Sequence, residues 1–454
     1  MNSPPFAALI LAAGKGTRMR SDQPKVMHQL AHRPMIGHVL AAVAPLHPAR
    51  TVVVVGPGME DVSSAVAPAE TVVQAQQRGT ADAVMAAREK LAGFAGDVLV
   101  LYGDTPLVTT ATLAALLAER RKAPAAAAVV VGMRLAEPGA YGRLILGRDG
   151  TLEAIREAAD CSKEERAIDL CNAGLMALDG AHLFPLLAGI GTANAKGEYY
   201  LTDLIAAARK RGLPCRALEA PVAELMGVNS RAELAAAEAA MQRRLRQAAM
   251  DAGVTLTAPE TVHFSADTKI GRDSVVGPFV VFGPGVSIGE GVDIPAFCHI
   301  SGASVSDGAV IGPFARLRPG AELAAGVHIG NFVEVKNSRL AAGVKANHLA
   351  YIGDANIGAD TNVGAGTITC NYDGIEKFRT EIGKGVFVGT NVSLVAPVAV
   401  GDGAIIAAGS VITGDVPADA LAIARGRQVV KPERAELWRK GRRAAKAAKK
   451  TGKN

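Results

Sequence analysis

The chain has 454 residues, 49% of them hydrophobic but only 4% aromatic, with 50 glycines and one Trp. That length exceeds what one hydrophobic core organises, so two or three domains are expected. No apolar run is long enough for a membrane span, and the start MNSPPFAALILAAG lacks the basic segment of a signal peptide. Five cysteines (Cys161, Cys171, Cys215, Cys298, Cys370) without a CxxC pair read as free thiols, arguing against a disulfide or zinc framework and for the cytoplasm. The net charge of +6 is uneven: from Arg425 onward there are 12 Lys/Arg against two Glu. That basic end predicts a solvated, structureless tail, and nucleic-acid binding is not read from it.

Residues 1–231 alternate buried-strand patterns with helical ones. Ala7–Ala12, Thr51–Val55, Val98–Leu101 and Ala126–Val131 are apolar runs bounded by Gly or polar residues. Ala81–Leu91 and Ala111–Arg121 have helical composition, so this part predicts a doubly wound, Rossmann-like α/β domain. Residues 232–252 contain no Gly or Pro and predict a long exposed helix, a linker between domains.

The first strand runs into Leu11-Ala12-Ala13-Gly14-Lys15-Gly16-Thr17-Arg18-Met19, at the sheet edge where ligands bind in such folds. Glycines let backbone N–H groups approach phosphate oxygens, and Lys15 and Arg18 add positive charge. The spacing fits neither a Walker A loop nor a dinucleotide fingerprint. Asp104 follows the run Val98–Leu101, where a strand's carboxyl edge is expected.

From Ile270 an apolar residue returns every sixth position: Ile270, Val276, Phe282, Ile288, Ile294, Ile300; then Val305 to Val335; then Ile382 to Ile412. Neither a helix nor a half-buried strand has that period. A parallel β-helix of three flat faces does, with one short strand and one turn per hexad. The rhythm is interrupted between Val335 and Ile352 and between Val363 and Ile382. There the polar residues Lys336, Asn337, His348, Tyr351, Asn362, Asn371, Tyr372 and Asp373 collect. Residues 253–454 are taken as this domain with its basic tail.

The run LAAGKGTRM with Pro24-Lys25, Gln74, Gly79-Thr80, Tyr102-Gly103-Asp104, Tyr141-Gly142-Arg143, CNAG at 171–174, GEYYLTD at 197–203 and Gly227-Val228-Asn229 resembles the sugar-nucleotide pyrophosphorylases. IGPFARLRPG at 311–320, GNFVEVKN at 330–337, HLAYIGDA at 348–355 and NVGAGTITCNYDG at 362–374 resemble the acetyltransferase half of the bifunctional uridyltransferase/acetyltransferase family. The order of the motifs is the same, and the resemblance spans about residues 6 to 430.

The resemblance implies two reactions and a left-handed, hexapeptide-repeat coil. In the first, UTP and N-acetylglucosamine 1-phosphate give UDP-N-acetylglucosamine and pyrophosphate. Leu11, Ala12, Ala13, Gly14, Gln74, Gly79 and Thr80 would then hold the uridine, with Tyr102 and Gly103 beside it. Lys25 and Arg18 would neutralise the triphosphate, Asp104 and Asn229 would hold Mg²⁺, and Gly142, Glu157 and Asn172 would contact the sugar. In the second, acetyl-CoA acetylates glucosamine 1-phosphate. His348 would be the general base, because an imidazole changes charge near neutral pH. Arg318, Lys336, Tyr351 and Asn362 would bind the amino-sugar phosphate. Ala365, Asn371, Tyr372, Thr390, Ala408 and Arg425 would line the acetyl-CoA track. The family commonly has Ser where Thr390 stands, and polar residues where Ala158-Ala159 follow Glu157. A homotrimer with acetyl-transfer sites between subunits is expected, since flat-sided prisms pack around a common axis. Two other readings stay open: a pyrophosphorylase whose β-helix is structural, and a solenoid scaffold with a degenerate nucleotide-sensing domain.

Overall fold

A computed structural model describes residues 4–451. Its contacts divide the chain into one unit ending at Lys269 and taking in Val281–Gly285, and a second made of Ile270–Val280 and the chain from Val286.

The first unit is built on a nine-stranded sheet. Its strands run, edge to edge, Cys215–Glu219, Ala128–Arg134, Leu170–Asp179, Asp97–Tyr102, Phe6–Leu11, Arg50–Val55 and Glu70–Val73, with Arg143–Leu146 and Leu152–Arg156 as a side hairpin. The predicted strands all form, within two residues at each end except at Arg134. Phe6–Leu11 is buried along its whole length between parallel neighbours, as its unbroken apolar run demands. One departure from the doubly wound expectation is Leu170–Asp179, antiparallel to both its neighbours. Its pairing slips between Asn172 and Met176, a bulge where Gly174 takes φ +87°. A Cβ at Gly174 would lie 2.8 Å from the Tyr102 ring, so only glycine fits. The predicted helix Ala81–Leu91 is shorter, Thr80–Ala86.

Helix Arg231–Asp251 matches the predicted linker in its bounds but is not exposed all round. Ala237, Met241, Gln242 and Arg246 form a buried stripe, and the helix packs with Leu30, Met35, Leu107 and Val228 of the first unit. Gln242 clamps the Phe264 backbone at both N–H and C=O (2.8 and 2.7 Å). A composition argument could not find that stripe, because two of its members are polar and buried by hydrogen bonding.

The second unit is the coil that the hexads predict, a left-handed parallel β-helix. Strands of two to four residues rotate through three faces, as in Asp293–Ile294, His299–Ile300 and Ala303–Val305. Each pairs in parallel with the strand one coil on: Asp293 with Val310, His299 with Arg316, Ser304 with Glu322. Ile294, Ile300, Ile311, Leu317, Val335, Ile352, Val388 and Ile406 all point into the prism and are buried. Each such side chain contributes about 1.5–3 kcal/mol relative to an exposed one.

The first expected interruption is not a break. Leu340 and Ala346 fill the prism between Val335 and Ile352, and only a corner is shortened. At the second, Thr369 occupies the interior position, and the chain leaves after Asn371 to return at Thr380. The basic tail is also not structureless. Arg434–Thr451 is a helix, in keeping with the helix propensity of its Ala, Lys and Arg, although its described side chains are all exposed.

Candidate active sites

In the first unit, the carboxyl ends of Phe6–Leu11 and Asp97–Tyr102 open onto a cavity of about 310 Å³. Its walls include Leu11, Ala12, Ala13, Gly14, Lys25, Gln74, Gly79, Thr80, Tyr102 and Asp104, ten residues singled out from sequence. Sequence reasoning missed Gln77, whose side-chain amide donates to the Ala13 carbonyl, and Glu198, both also in the wall.

The two N–H groups of Gln74 are spent on Gly79 O (3.0 Å) and Asp82 Oδ2 (2.9 Å). What Gln74 offers a base is therefore its carbonyl oxygen, an acceptor for an imide N–H. Gly79 has φ +122°, and a Cβ there would collide with the Tyr199 backbone. Burial pushes the Tyr102 hydroxyl pKa well up, with the charges of Asp104 and Glu157 adding to it. Tyr102 thus feels both Asp104 of the cavity wall and Glu157. Asn172 accepts from Gly174 N–H (2.9 Å) and its own N–H bonds Gly142 O (2.8 Å). Burial raises the Glu157 carboxyl, partly opposed by a hydrogen bond from Thr202 (3.2 Å). Arg18 lies in a short 3₁₀ turn, exposed and outside the cavity wall.

Asp104 and Asn229 are far apart in sequence and converge because of a helix cap. Ser230 caps helix Arg231–Asp251 by accepting Glu233 N–H (3.3 Å), and Glu233 accepts Asn229 N–H (2.6 Å). The neighbouring Val228 N–H bonds Asp104 O (2.9 Å). The Lys25 ammonium bridges the Asp104 carboxylate and Asn229 Oδ1, the latter at 3.0 Å. A carboxylate and an amide oxygen converging on one cationic atom are hard donors, and they fit Mg²⁺ with phosphate and water as further ligands.

In the second unit the candidate residues form columns, because each coil carries the chain back to the same corner one rung on. His348 ends a strand paired with His328–Asn331, and its Nδ1 is 2.9 Å from Asn331 Oδ1. An amide oxygen only accepts, so Nδ1 donates to it, and in the neutral ring Nε2 is the nitrogen with the lone pair. Ala365, Thr390, Ala408 and Arg425 follow His348 at that same corner. Gly366 N–H bonds His348 O (3.4 Å), Asn391 N–H bonds Ala365 O (2.7 Å), and Gly409 N–H bonds Thr390 O (2.8 Å). Arg425 reaches Ala408 O (2.7 Å).

The next face carries Arg318, Lys336 and Tyr351. Glu334, paired in register with Tyr351, holds Arg318 at 2.8 Å and Arg316 at 3.4 Å. Asp354 lies 3.9 Å from the Lys336 ammonium and accepts from the side chains of Asn337 and Asn371. Tyr372 is exposed on the loop that follows. Asn362 lies on the same face as the strand that ends at His348, in register between Lys345 and Phe387, whereas Arg318, Lys336 and Tyr351 lie on the next. Sequence reasoning missed Asn331, Glu334 and Asp354. The 17-residue spacing of Asn331 and His348 was the available signal.

A cavity at the carboxyl edge of an α/β sheet, followed by a polar corner column on a β-helix, defines a two-site transferase with a nucleotide-binding half. Residues 8–174 match the MobA-like NTP transferase domain, and residues 267–302 and 379–414 match the bacterial transferase hexapeptide (six repeats). The hexapeptide matches flank the segment that holds His348 and Lys336. The chain is 60% identical over 448 residues to the bifunctional protein GlmU of Rhodospirillum rubrum, covering 99% of each chain. It is 57% identical over 450 residues to that of Paramagnetospirillum magneticum, covering 99% of this chain and all of the relative. With that of Acidiphilium cryptum it shares 58% over 438 residues, 96% of this chain and 99% of the other. The chain belongs to the family of bifunctional GlmU proteins and is an enzyme with two transferase activities. Among the described residues no helix is long and apolar enough to cross a membrane.

Proposed function

We infer that the chain makes UDP-N-acetylglucosamine in two steps at two sites of its own. Acetyl transfer from acetyl-CoA to glucosamine 1-phosphate belongs to residues 253–454, uridyl transfer to residues 1–231, and residues 232–252 link them. The observation that carries this reading is that each unit gathers groups suited to its step: Lys25, Asp104 and Asn229 meet at the cavity of the first, and His348 meets Asn331 on the corner of the second.

In uridyl transfer the sugar phosphate attacks the α-phosphorus of UTP and pyrophosphate leaves, so alignment and charge carry the rate. The cavity wall from Leu11 to Gly14 presents backbone to the nucleotide, and Gln74 accepts from the base. Lys25 neutralises phosphate charge, while Gly142, Glu157 and Asn172 orient the sugar. Asp104 and Asn229 would hold Mg²⁺, which when bound supplies further neutralisation of the triphosphate.

In acetyl transfer the attacking amine must first lose a proton. His348 takes it on Nε2 while Asn331 holds Nδ1. The nitrogen bonds the thioester carbon, the C–S bond breaks, the second proton that this nitrogen sheds passes to the departing thiolate, and the imidazolium of His348 returns its own proton to water. Arg318 and Lys336 clamp the sugar phosphate. The corner column from Ala365 to Arg425 lies along the coenzyme, with Asn371 and Tyr372 near the acetyl group.

The enzyme works as a homotrimer in the cytoplasm. An open corner column needs a second wall to enclose a coenzyme. Phe387, Ile405 and Leu421, exposed and in register on the adjoining face, give another prism an apolar surface to pack on. Five thiols outside any disulfide suit a reducing compartment.

The test is to assay pyrophosphate release and acetyl-CoA consumption separately on the purified chain. Uridyl transfer without acetyl transfer would leave the β-helix a structural role. Mixed assemblies of His348→Ala and Arg425→Ala chains should regain acetyl transfer if the sites are shared. No recovery would place both residues in one chain's site.

A further inference from the structure

The corner between the second and third faces of the β-helix changes character where the site begins. Gly302 and Gly320 occupy it with φ +55° and +81°, the usual choice for a left-handed turn. One and two coils on, Asn337 (φ +44°) and Asp354 (φ +51°) hold the same conformation, and Asn371 follows one coil later. The result is an amide–carboxylate–amide ladder. Asn337 Nδ2 donates to one oxygen of Asp354 and Asn371 Nδ2 to the other. Asp354 is only 5% exposed, and its bond from Asn371 is made away from water, while Asn337 stands at the surface. Burial pushes its carboxyl up, but the two amide bonds and the charges of Lys336 and Lys377 outweigh that and hold it below the usual range.

The backbone of Asp354 is committed as well. Its N–H bonds Lys336 O (3.1 Å), and its C=O accepts Thr380 N–H (3.2 Å). Asn371 and Thr380 are the points where the inserted loop leaves and rejoins the coil. One residue therefore fastens both feet of the loop that carries Tyr372 and also faces the Lys336 ammonium. Because Asn371 spends an N–H on Asp354, its amide orientation is set, and Oδ1 is the acceptor left for a donor such as an amine.

We propose that Asp354 is a positioning residue for acetyl transfer: it locks the Asn371 amide with its oxygen free to receive the substrate's amine, and seats the loop on the phosphate clamp. This rests on the acetyltransferase reading of the second unit, so acetyl transfer by the parent chain is measured first; its absence would overturn that reading rather than this one.

Asp354→Asn suits a left-handed turn and removes the charge. Asn371→Asp sets two carboxylates against each other. The double variant exchanges the groups and restores a donor–acceptor pair at the same place. Uridyl transfer in the same polypeptide, together with Tm, reports on folding. Each single variant should lose at least about tenfold in acetyl-transfer kcat, with uridyl transfer within twofold of the parent. The exchange should regain Tm but not kcat, because position 371 then holds a carboxylate where the amide belonged. Recovery of kcat along with Tm in the exchange would reduce Asp354 to a structural role. Asp354→Asn with acetyl transfer within twofold of the parent would overturn the proposal.

Discussion

The two units gather their functional groups in opposite ways. In the α/β unit, Lys25, Asp104 and Asn229 meet from three distant stretches of chain, brought together by strand ends and a helix cap. In the β-helix the groups recur at one coil's spacing, as with Asn331 and His348, or Asn337, Asp354 and Asn371. The first builds a walled cavity; the second builds a column on an open corner. A site assembled from distant segments depends on the whole sheet, whereas a column depends mainly on its adjacent rungs.

The largest expected effect breaks one half and spares the other. Asp104→Asn removes the anionic member of the Lys25 pair and should lower uridyl transfer at least about 10²-fold, with acetyl transfer unchanged. Pyrophosphate and coenzyme A release, followed in parallel, check it; near-parental uridyl transfer would remove Asp104 from the charge-stabilising set. His348→Ala is the mirror experiment. It should cost acetyl transfer about 10²–10⁴-fold and leave uridyl transfer intact. A variant within threefold of the parent would assign the base elsewhere.

Asn331→Ala sharpens the rung argument. Freeing the imidazole one coil below should cost acetyl transfer up to about 10²-fold through kcat, with the KM for acetyl-CoA little changed. Equal loss from Ala at a neighbouring outward position would show that His348 needs no partner on the rung below.

The smallest effect concerns Glu157, whose carboxyl is raised by burial. A carboxylate with a raised folded pKa favours folding below its unfolded pKa and opposes it as pH rises through the folded value. Glu157→Gln should therefore raise Tm slightly at pH 8 and leave it nearly unchanged at pH 4, while weakening sugar binding. A lower Tm at pH 8 would mean that the Thr202 bond outweighs burial.

Much of this was legible in the chain. The hexads from Ile270 give the prism directly, because its interior admits one aliphatic residue per face. Ten cavity residues followed from the motifs between Leu11 and Asp104. What stayed hidden was hidden for physical reasons. Asn331, Asn337 and Asp354 look like ordinary turn formers, and only stacked coils reveal that Asn331 bonds His348 and that Asn337 bonds Asp354. Leu170–Asp179 gave no sign of its antiparallel direction, since a buried strand's composition carries no polarity. The buried stripe on helix Arg231–Asp251 rests on Gln242 and Arg246, which a hydrophobic pattern passes over.

The stacking of coils also governs how such a chain tolerates a change of length. Leu340 pairs with Ile357 one coil on, 17 residues later, whereas Ile357 pairs with Ile382 after 25. The surplus was extruded as the loop on which Tyr372 stands, and the prism closed beneath it. A whole coil added among the plain rungs near Ile288 would do something else. It would slide everything beyond it along the axis by about 4.8 Å, leaving every corner in phase. Length is thus absorbed as translation when it arrives in full coils, and as new surface when it does not.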